Sequence, residues 1–207
     1  PVLIDLPKDI ILGEADFVVP VGEPDIRGYK PKTTGHIRQI KRVAEAIKVA
    51  KKPVLYVGGG VIHAEADQEV KNLAEKADIP VTWTLLGASA FPSDHPLALG
   101  MLGMHGTAYA NLAIDECDLL IAVGARFDDR VTGKISEFAK NAEIIHIDID
   151  PTAIGKNVNV AIPVVGDAKK VLVEVNKLIK GQKRTIWQKR VKLLKKDFPL
   201  TFKTAEG

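Results

Sequence analysis

One charged segment of the sequence combines residue types that bind anions. The apolar run CDLLIAV, residues 117–123, leads into GARFDDRVTG, which carries two arginines and two aspartates. Arg126 and Arg130 can each form paired hydrogen bonds with phosphate or carboxylate oxygens. The structural alternative is a solvated loop in which these arginines pair with Asp128 and Asp129. Because the two aspartates are adjacent, catalysis by paired carboxylates would need a particular loop geometry, and an ion pair is the simpler interpretation.

Residues suited to nucleotide binding also follow other apolar runs. The glycines that end PVLYVGGG, residues 53–60, would let backbone N–H groups approach a pyrophosphate, whose charge the next helix N-terminus favours. Asp148 and Asp167 can accept hydrogen bonds from ribose hydroxyls or an adenine amino group. A tight turn explains GGG equally, since the G-x-G-x-x-G spacing is absent, and Asp148 and Asp150 alone could cap a helix or join an ion pair. Only their coincidence along one edge favours a dinucleotide, and it does not choose between NAD and FAD.

Other catalytic chemistries find little support in the residue pattern. Five histidines and one cysteine show no metal-ligand spacing, and neither a GxSxG elbow nor a P-loop motif occurs. His105, in LGMHG, suits a contact with a ligand and a simple loop hydrogen bond equally. Cys117 lies within an apolar run, which predicts a buried structural thiol, and a single cysteine excludes an internal disulfide framework.

The elements that must position these residues alternate between strand and helix. Predicted strands cover residues 1–6, 53–60, 79–86, 117–127, 142–150 and 162–167. Predicted helices cover residues 35–50, capped by Thr34, then about 60–77, 106–115, 135–140 and 168–179. Strands that are apolar almost throughout predict a parallel sheet covered on both faces, which is a Rossmann-like, doubly wound α/β fold. Ligands bind such sheets beyond the carboxyl ends of the strands, where the candidate residues lie.

The two ends of the sequence differ from this central part. Residues 7–33 carry scattered proline and glycine without helical periodicity, which indicates a linker. Beyond Lys180, Trp187, Val191, Leu194 and Phe198 recur at helical spacing among basic residues. We expect this basic helix to lay its apolar stripe on a neighbouring domain; binding to an anionic surface or RNA is the alternative. Because an apolar strand pattern is already in progress at the first residue, the sequence is expected to belong to a longer protein.

The overall composition is that of an ordinary globular protein. The 207 residues are 46% hydrophobic and 27% charged. The net charge of +3 argues neither for nor against nucleic acid, and no nucleic-acid partner is expected. No apolar run approaches the roughly 20 residues of a membrane span, so no membrane partner is expected. The single cysteine is compatible with a reducing compartment.

Five motifs resemble one enzyme family. PVLIDLPKD, AFPSDHPLALG, LGMLGMHGTAYAN, GARFDDRVTGK and HIDIDP occur in this order, and together they resemble the catalytic subunit of the acetohydroxyacid (acetolactate) synthases. The resemblance extends from Pro1 to about Ile179. It implies a thiamine diphosphate-dependent transferase that condenses pyruvate with a second 2-ketoacid, giving 2-acetolactate or 2-aceto-2-hydroxybutyrate in branched-chain amino acid biosynthesis. It implies further that residues 34–180 are the Rossmann-like central domain that binds FAD, residues 1–33 the end of a preceding domain with its linker, and residues 181–207 a basic linker helix toward a following domain.

The resemblance also implies functional residues. Those matching the family's FAD contacts are Gly58, Gly59, Gly60, Thr84, Leu85, Leu86, Leu102, Gly103, Met104, His105, Gly124, Ala125, Arg126, Asp128, Arg130, Val131, Asp148, Ile149, Gly166, Asp167 and Ala168. Arg130 is implied in addition to hold the carboxylate of the second substrate. Lys8, Met104, Asp129 and Arg130 match a channel that binds sulfonylurea-type inhibitors. The sequence departs from the family at residues 87–89, Gly-Ala-Ser, where the family often has Gly-Leu-Gly.

The resemblance places the catalytic parts outside this sequence. The family's cofactor-activating glutamate belongs to the preceding domain, and the GDG…N motif that holds Mg²⁺ and thiamine diphosphate belongs to the following one; no GDG occurs here. The chain alone is therefore expected to hold no catalytic residue and to be inactive, while the FAD is regarded as structural in this family. The full-length enzyme is expected to be a homo-oligomer, with or without a small regulatory subunit, in the cytoplasm or in a eukaryotic organelle.

Three alternatives differ from this interpretation. Related thiamine-dependent oxidases, decarboxylases and carboligases share the same central fold. A non-catalytic nucleotide-binding or assembly module would keep the fold with an empty cleft. A nicotinamide-dependent dehydrogenase would need a group of residues for hydride transfer, which the sequence does not show.

Overall fold

The computed structural model describes residues 3–19, 21–22 and 30–201, which belong to two compact units, Pro1–Lys30 and Pro31–Gly207. In the first unit, helix α1 spans Lys8–Leu12, within the segment predicted to be an irregular linker. The strand predicted over residues 1–6 is wrong where the structure describes it: residues 3–6 are irregular and Leu3 is 95% exposed. A strand needs a hydrogen-bonded neighbour, and the described part of this unit contains no other strand. Residues 1 and 2, and parts of the predicted linker, lie outside the described residues.

The second unit is built on a six-stranded parallel sheet. Its strands are β1 (Pro53–Val57), β2 (Val81–Trp83), β3 (Ala98–Met101), β4 (Leu119–Val123), β5 (Glu143–Asp148) and β6 (Ile162–Val165). Their order across the sheet is β3-β2-β1-β4-β5-β6, the doubly wound arrangement predicted from the apolar runs. Every residue of the central strands β1 and β4 is buried, because helices cover both faces. Strand β3 was not predicted.

Helices connect the strands and cover the sheet. They are α2 (Ile37–Val49), α3 (Gly59–His63), α4 (Asp67–Ala77), α5 (Ala108–Glu116), α6 (Asp129–Thr132), α7 (Ala168–Leu178) and α8 (Thr185–Asp197). His36 caps α2, its Nδ1 accepting from Arg38 N at 3.2 Å, so the predicted Thr34 cap is wrong. The single helix predicted over residues 60–77 is two helices, interrupted next to Glu65 with its φ of +49°. No helix of the described part is long and apolar enough to cross a membrane.

Two hydrophobic clusters lie on opposite faces of the sheet. In β1, Leu55 and Val57 face the cluster covered by α2, α4 and α7. Val54 and Tyr56 face the other cluster, which includes residues of α5 and α8. Cys117 is buried in the second cluster, as predicted, and burial together with the nearby carboxylates raises the pKa of its thiol to about 12.

The C-terminal helix α8 packs on the second cluster. Trp187, Val191 and Leu194 are buried there, and the Trp187 indole N–H donates to the Pro53 carbonyl at 3.0 Å. The predicted apolar stripe therefore covers this unit's own sheet, and contact with a further domain stays a prediction. Phe198, the last residue of the predicted stripe, is partly exposed.

Arg184, just before α8, is buried and joins two helix C-termini. Its guanidinium donates to the carbonyls of Ile47 and Ala77, and its Nε donates to Ala50 O at 3.2 Å. These carbonyls come from the ends of α2 and α4, where the last turn of a helix leaves its acceptors without an internal partner. The arginine therefore fastens the C-terminal segment to the edge at which the strands begin.

Candidate functional site

The predicted site residues lie at one edge of the sheet, beyond the carboxyl ends of its strands. Because all six strands are parallel, the loops that follow them share that edge. The matching positions are residues 58–60 after β1, 84–86 after β2, 102–105 after β3, 124–131 after β4, 148–149 at the end of β5, and 166–168 after β6. With neighbouring strands about 4.8 Å apart, these loops extend over about 24 Å, a length suited to an extended dinucleotide.

Glycines hold the loops after β1 and β4 against each other. The Gly58 N–H donates to Val123 O at 3.0 Å and the Gly60 N–H donates to Gly124 O at 3.1 Å. A Cβ on Gly58 would lie 2.2 Å from Gly124 O, and Gly124 itself has a φ of +58°, which favours glycine. The order of connections reverses between β1 and β4, so this contact forms the base of the crevice in which open α/β sheets bind ligands.

The loop after β2 presents apolar side chains at this edge. Thr84 Oγ1 accepts from Gly87 N at 3.1 Å and so caps a short 3₁₀ turn, Leu85–Gly87. Leu85 and Leu86 are 75% and 76% exposed. A Cβ on Gly87 would lie 2.6 Å from Val57 O, so glycine is required at this position. Ala88 and Ser89, where the sequence departs from the family pattern, are exposed, so their side chains can project into solvent.

The loop after β3 is fixed from two sides. Asn111 on α5 accepts from Gly103 N at 3.2 Å and donates to Gly103 O at 3.1 Å, and Met104 N donates to Arg130 O at 2.8 Å. The Met104 side chain, 69% exposed, and the exposed His105 stand at the same edge. Exposed apolar side chains in such a place are suited to contact with the rings of a ligand.

Phe127 anchors the charged loop after β4. It is 1% exposed and adopts a φ of +53°, unusual for a bulky residue. Its ring packs against those of Tyr56, Phe138 and His146 at centroid distances of 5.7, 5.9 and 5.1 Å. Asn157 donates to the Phe127 carbonyl at 2.9 Å. This inward anchor leaves the neighbouring charged side chains on the outer side of the loop.

Phe127 and Asn157 are positioning residues that the sequence interpretation missed. A lone aromatic among charges, in GARFDDR, was the only available signal for the anchor. Nothing in the sequence pattern indicated that Asn157, in the connection between β5 and β6, contacts this loop.

The charged loop combines one internal ion pair with one unpaired arginine. Arg126 Nη2 lies 3.2 Å from Asp128 Oδ2, so the structural alternative is correct for this pair, although both groups face solvent. The hydrogen bond with Asp129 and that from Arg130 N lower the pKa of the Asp128 carboxyl. Asp128 also caps α6, which begins at Asp129. Arg130 is exposed, and its guanidinium has no carboxylate partner within residues 3–19, 21–22 and 30–201.

The two predicted acids follow neighbouring strands: Asp148 is the last residue of β5, and Asp167 lies two residues after β6. Asp148 Oδ1 accepts from Asp150 N at 2.9 Å, and Asp148 O accepts from Gly166 N at the same distance. Asp167 caps α7, its Oδ1 accepting from Lys170 N at 3.0 Å, a role that the sequence interpretation had not assigned to it. Ile149 is exposed between the two strand ends, and Ala168 is buried at the start of α7.

The donor set of this edge is suited to a dinucleotide such as FAD. The Gly59 N–H and the exposed arginines suit a diphosphate, Asp148 suits ribose or adenine donors, and the exposed leucines and Met104 suit an aromatic ring system. Of the described residues, no group of three or more His, Cys, Asp and Glu side chains is arranged to hold a metal ion. The placement of Lys8 beside Met104, Asp129 and Arg130 in an inhibitor channel stays a prediction.

Comparisons with known proteins identify the family. The family model described as "Thiamine pyrophosphate enzyme, central domain" matches residues 40–175. The chain is 53% identical over 202 residues to the probable acetolactate synthase large subunit of Methanocaldococcus jannaschii, covering 95% of this chain and 34% of that protein. It is 49% identical over 212 residues to the acetolactate synthase large subunit of Corynebacterium glutamicum, covering 100% and 34%. It is 47% identical over 207 residues to that of Pyropia yezoensis, covering 97% and 35%.

The chain thus spans about a third of the length of the curated relatives that it matches. The resemblance drawn from the motifs is confirmed, and the parallel α/β sheet agrees with the matched family. This chain belongs to the central-domain family of the thiamine pyrophosphate enzymes.

Proposed function

We propose that this chain is the FAD-binding central part of an acetolactate synthase catalytic subunit. The observation that carries the proposal is the meeting of six strand-end loops at one edge, tied together by the hydrogen bonds from Gly60 to Gly124 and from Met104 to Arg130. The names of the relatives support the same activity.

FAD would lie along this edge. The glycine turn at residues 58–60 would lie against its diphosphate, with the Gly59 N–H and the exposed Arg126 guanidinium as donors. Asp148 would accept hydrogen bonds from the adenosine part, and the exposed side chains of Leu85, Leu86 and Met104 would contact its rings. By resemblance, the bound flavin supplies structure and no net redox chemistry.

The whole enzyme would condense pyruvate with a second 2-ketoacid, giving 2-acetolactate or 2-aceto-2-hydroxybutyrate. Thiamine diphosphate and Mg²⁺ would be held by parts of the protein other than this chain. The contribution of this chain to the reaction would be Arg130, whose unpaired guanidinium would bind the carboxylate of the second substrate. On this proposal the chain alone makes no acetolactate.

The remaining expectations concern assembly and location. The full-length protein would be a homo-oligomer, with or without a small regulatory subunit, and would act in the cytoplasm or in a eukaryotic organelle. Neither nucleic acid nor membrane would be a partner.

The test uses the full-length protein that carries this chain. We expect flavin absorbance after purification or after addition of FAD, and acetolactate from pyruvate in the presence of thiamine diphosphate and Mg²⁺. The isolated 207-residue chain is the matched control and should form no acetolactate. Flavin binding with a different product from a 2-ketoacid would instead indicate a related oxidase, decarboxylase or carboligase. Full-length protein that neither binds FAD nor reacts would favour a non-catalytic module, and acetolactate from the isolated chain would overturn the domain assignment.

A further inference from the structure

His146, in the middle of the sheet, is a buried polar side chain whose ring nitrogens lack hydrogen-bond partners. It lies on β5, is 0% exposed, and neither Nδ1 nor Nε2 has a partner among the described residues. A buried polar atom without a partner destabilises the fold, so such a group in a native core needs an explanation.

The surroundings of His146 restrict what its ring can do. The imidazole and the Phe127 ring form a T-shaped pair, with centroids 5.1 Å apart and ring planes at 90°. Ala122 and Pro163 are its neighbours on the adjoining strands β4 and β6. The polar atom facing it is Asp148 Oδ2, 3.8 Å from His146 Nε2.

Asp148 has one carboxylate oxygen available for a partner within the protein. Its Oδ1 already accepts from Asp150 N at 2.9 Å, whereas Oδ2 points toward the histidine. The Asp148 side chain is 11% exposed, so most of the carboxylate is withdrawn from water. A shift of about 1 Å would bring the His146–Asp148 contact to hydrogen-bond distance, and contacts of binding sites often tighten in this way when a ligand is present.

We propose that His146 is a positioning residue for Asp148, donating from Nε2–H to Oδ2 so that the carboxylate is held toward a bound dinucleotide. Of the two tautomers of the imidazole, Nε2–H is the one that can make this bond. Because Phe127 packs against the same ring, the charged loop after β4 and the acid at the end of β5 would be aligned through one buried side chain. His146 itself would not touch the ligand. The proposal rests on the proposed function, in which Asp148 accepts hydrogen bonds from FAD.

Two substitutions of His146 separate this role from simple core packing. His146→Gln places an amide nitrogen near the position of Nε2, and His146→Asn places one near that of Nδ1. We expect the Kd of the full-length protein for FAD to stay within about twofold of wild type for the glutamine variant and to rise about tenfold for the asparagine variant. In an Asp148→Asn background, replacing His146 by asparagine should cause no further rise, since the partner is already lost. Equal Kd values for the Gln and Asn variants, or full additivity with Asp148→Asn, would overturn the proposal.

A second measurement is independent of ligand binding and of the His146 variants. Long-range ¹H–¹⁵N correlation spectra of the ¹⁵N-labelled 207-residue chain report the tautomer of each histidine. We expect His146 to carry a proton on Nε2, with an Nε2 shift that changes in Asp148→Asn while the exposed His36 stays unchanged. An Nδ1–H form, or an Nε2 shift insensitive to Asp148→Asn, would overturn the proposal. If wild-type full-length protein does not bind FAD, the proposed function fails, and the spectra still decide whether His146 donates to Asp148.

Discussion

Gly60 and Gly124 are packed backbone against backbone where the order of strand connections reverses. The Gly60 N–H donates to Gly124 O at 3.1 Å, and a Cβ on Gly60 would lie 2.6 Å from Gly124 Cα. Real Cβ atoms do not approach a backbone atom so closely, and the nearest atoms that this Cβ would meet all belong to the Gly124 backbone. The contact therefore determines how near the loops after β1 and β4 can come to a ligand.

Replacing Gly60 by alanine should force these two loops apart. We expect the free energy of unfolding to fall by about 1–3 kcal/mol, as for other overpacked sites, and the affinity for FAD to fall with it. Urea denaturation and FAD titration measure the two effects. Gly181→Ala is the control, because nothing lies within 4 Å of a Cβ at that position and its φ is ordinary. Equal effects of the two substitutions would contradict the close packing described here.

Arg126→Ala should weaken FAD binding. The guanidinium is exposed and can exchange its single ion pair, with Asp128 at 3.2 Å, for a phosphate oxygen. Loss of a charged hydrogen bond predicts a decrease of about 1.5–3 kcal/mol in binding free energy, measured by titration of the full-length protein with FAD. Lys192→Ala, on the exposed side of α8, removes the same charge and should leave the Kd unchanged. A similar loss in both variants would indicate a general charge effect.

Arg130→Ala should chiefly change the use of the second ketoacid. Its guanidinium lacks a carboxylate partner in the described part of the chain, while its backbone carbonyl, which the substitution retains, accepts from Met104 N. In competition between pyruvate and 2-ketobutyrate, the ratio of 2-aceto-2-hydroxybutyrate to 2-acetolactate should shift, and the KM for the second substrate should rise. An unchanged product ratio together with unchanged FAD affinity would exclude a role of this loop toward both ligands.

Trp187→Ala should detach α8 from the sheet. The buried indole fills the second cluster and donates to Pro53 O, so we expect a loss of about 3–5 kcal/mol in the free energy of unfolding. Trp187→Phe removes the hydrogen bond but keeps most of the ring volume and should cost less. Ile186→Ala, at the adjacent exposed position, is the control for helix composition and should have little effect. Chemical denaturation of all three variants distinguishes these outcomes.

The ion pair between Glu116 and Arg190 should make the packing of α8 depend on pH. Hydrogen bonding to Arg190, more than charge attraction alone, lowers the pKa of the Glu116 carboxyl from its ordinary value of 4.5. A carboxyl whose pKa is lower in the folded state stabilises the fold above the unfolded pKa, and this contribution is lost as the pH falls through the folded value. The difference in unfolding free energy between wild type and Glu116→Gln should therefore be constant above about pH 5 and shrink below it. High salt should reduce the difference because both side chains are partly exposed; a constant difference down to pH 3 would contradict the assignment.

The sequence predicted the sheet and its binding edge because both depend on local patterns. Apolar runs such as residues 119–123 identify buried parallel strands, and the residues that follow them must share one edge. Strand β3 escaped prediction because it has only four residues, contains Gly100 and follows Pro96, so that its pattern is typical of a loop. For the first residues, by contrast, a strand was predicted that the structure does not contain where it is described. PVLIDL has the composition of a strand, yet the described part of its unit offers no strand to pair with.

The supports of the site depend on contacts that are distant in sequence. The Phe127 ring packs against Tyr56 on β1 and His146 on β5, and the Phe127 carbonyl accepts from Asn157. No periodicity links these positions, so they become visible only when the strands are placed side by side. The position of the motif residues, by contrast, could be predicted, because each motif directly follows a strand in the sequence.

The attachment of Arg184 to the ends of α2 and α4 lies at the edge of the sheet opposite the proposed binding site. The guanidinium and the indole of Trp187 clamp the edge where the strands begin, and the loops proposed to bind FAD occupy the opposite edge. Substitutions that strengthen the contacts of Arg184 and Trp187 should therefore leave the proposed nucleotide cleft unchanged.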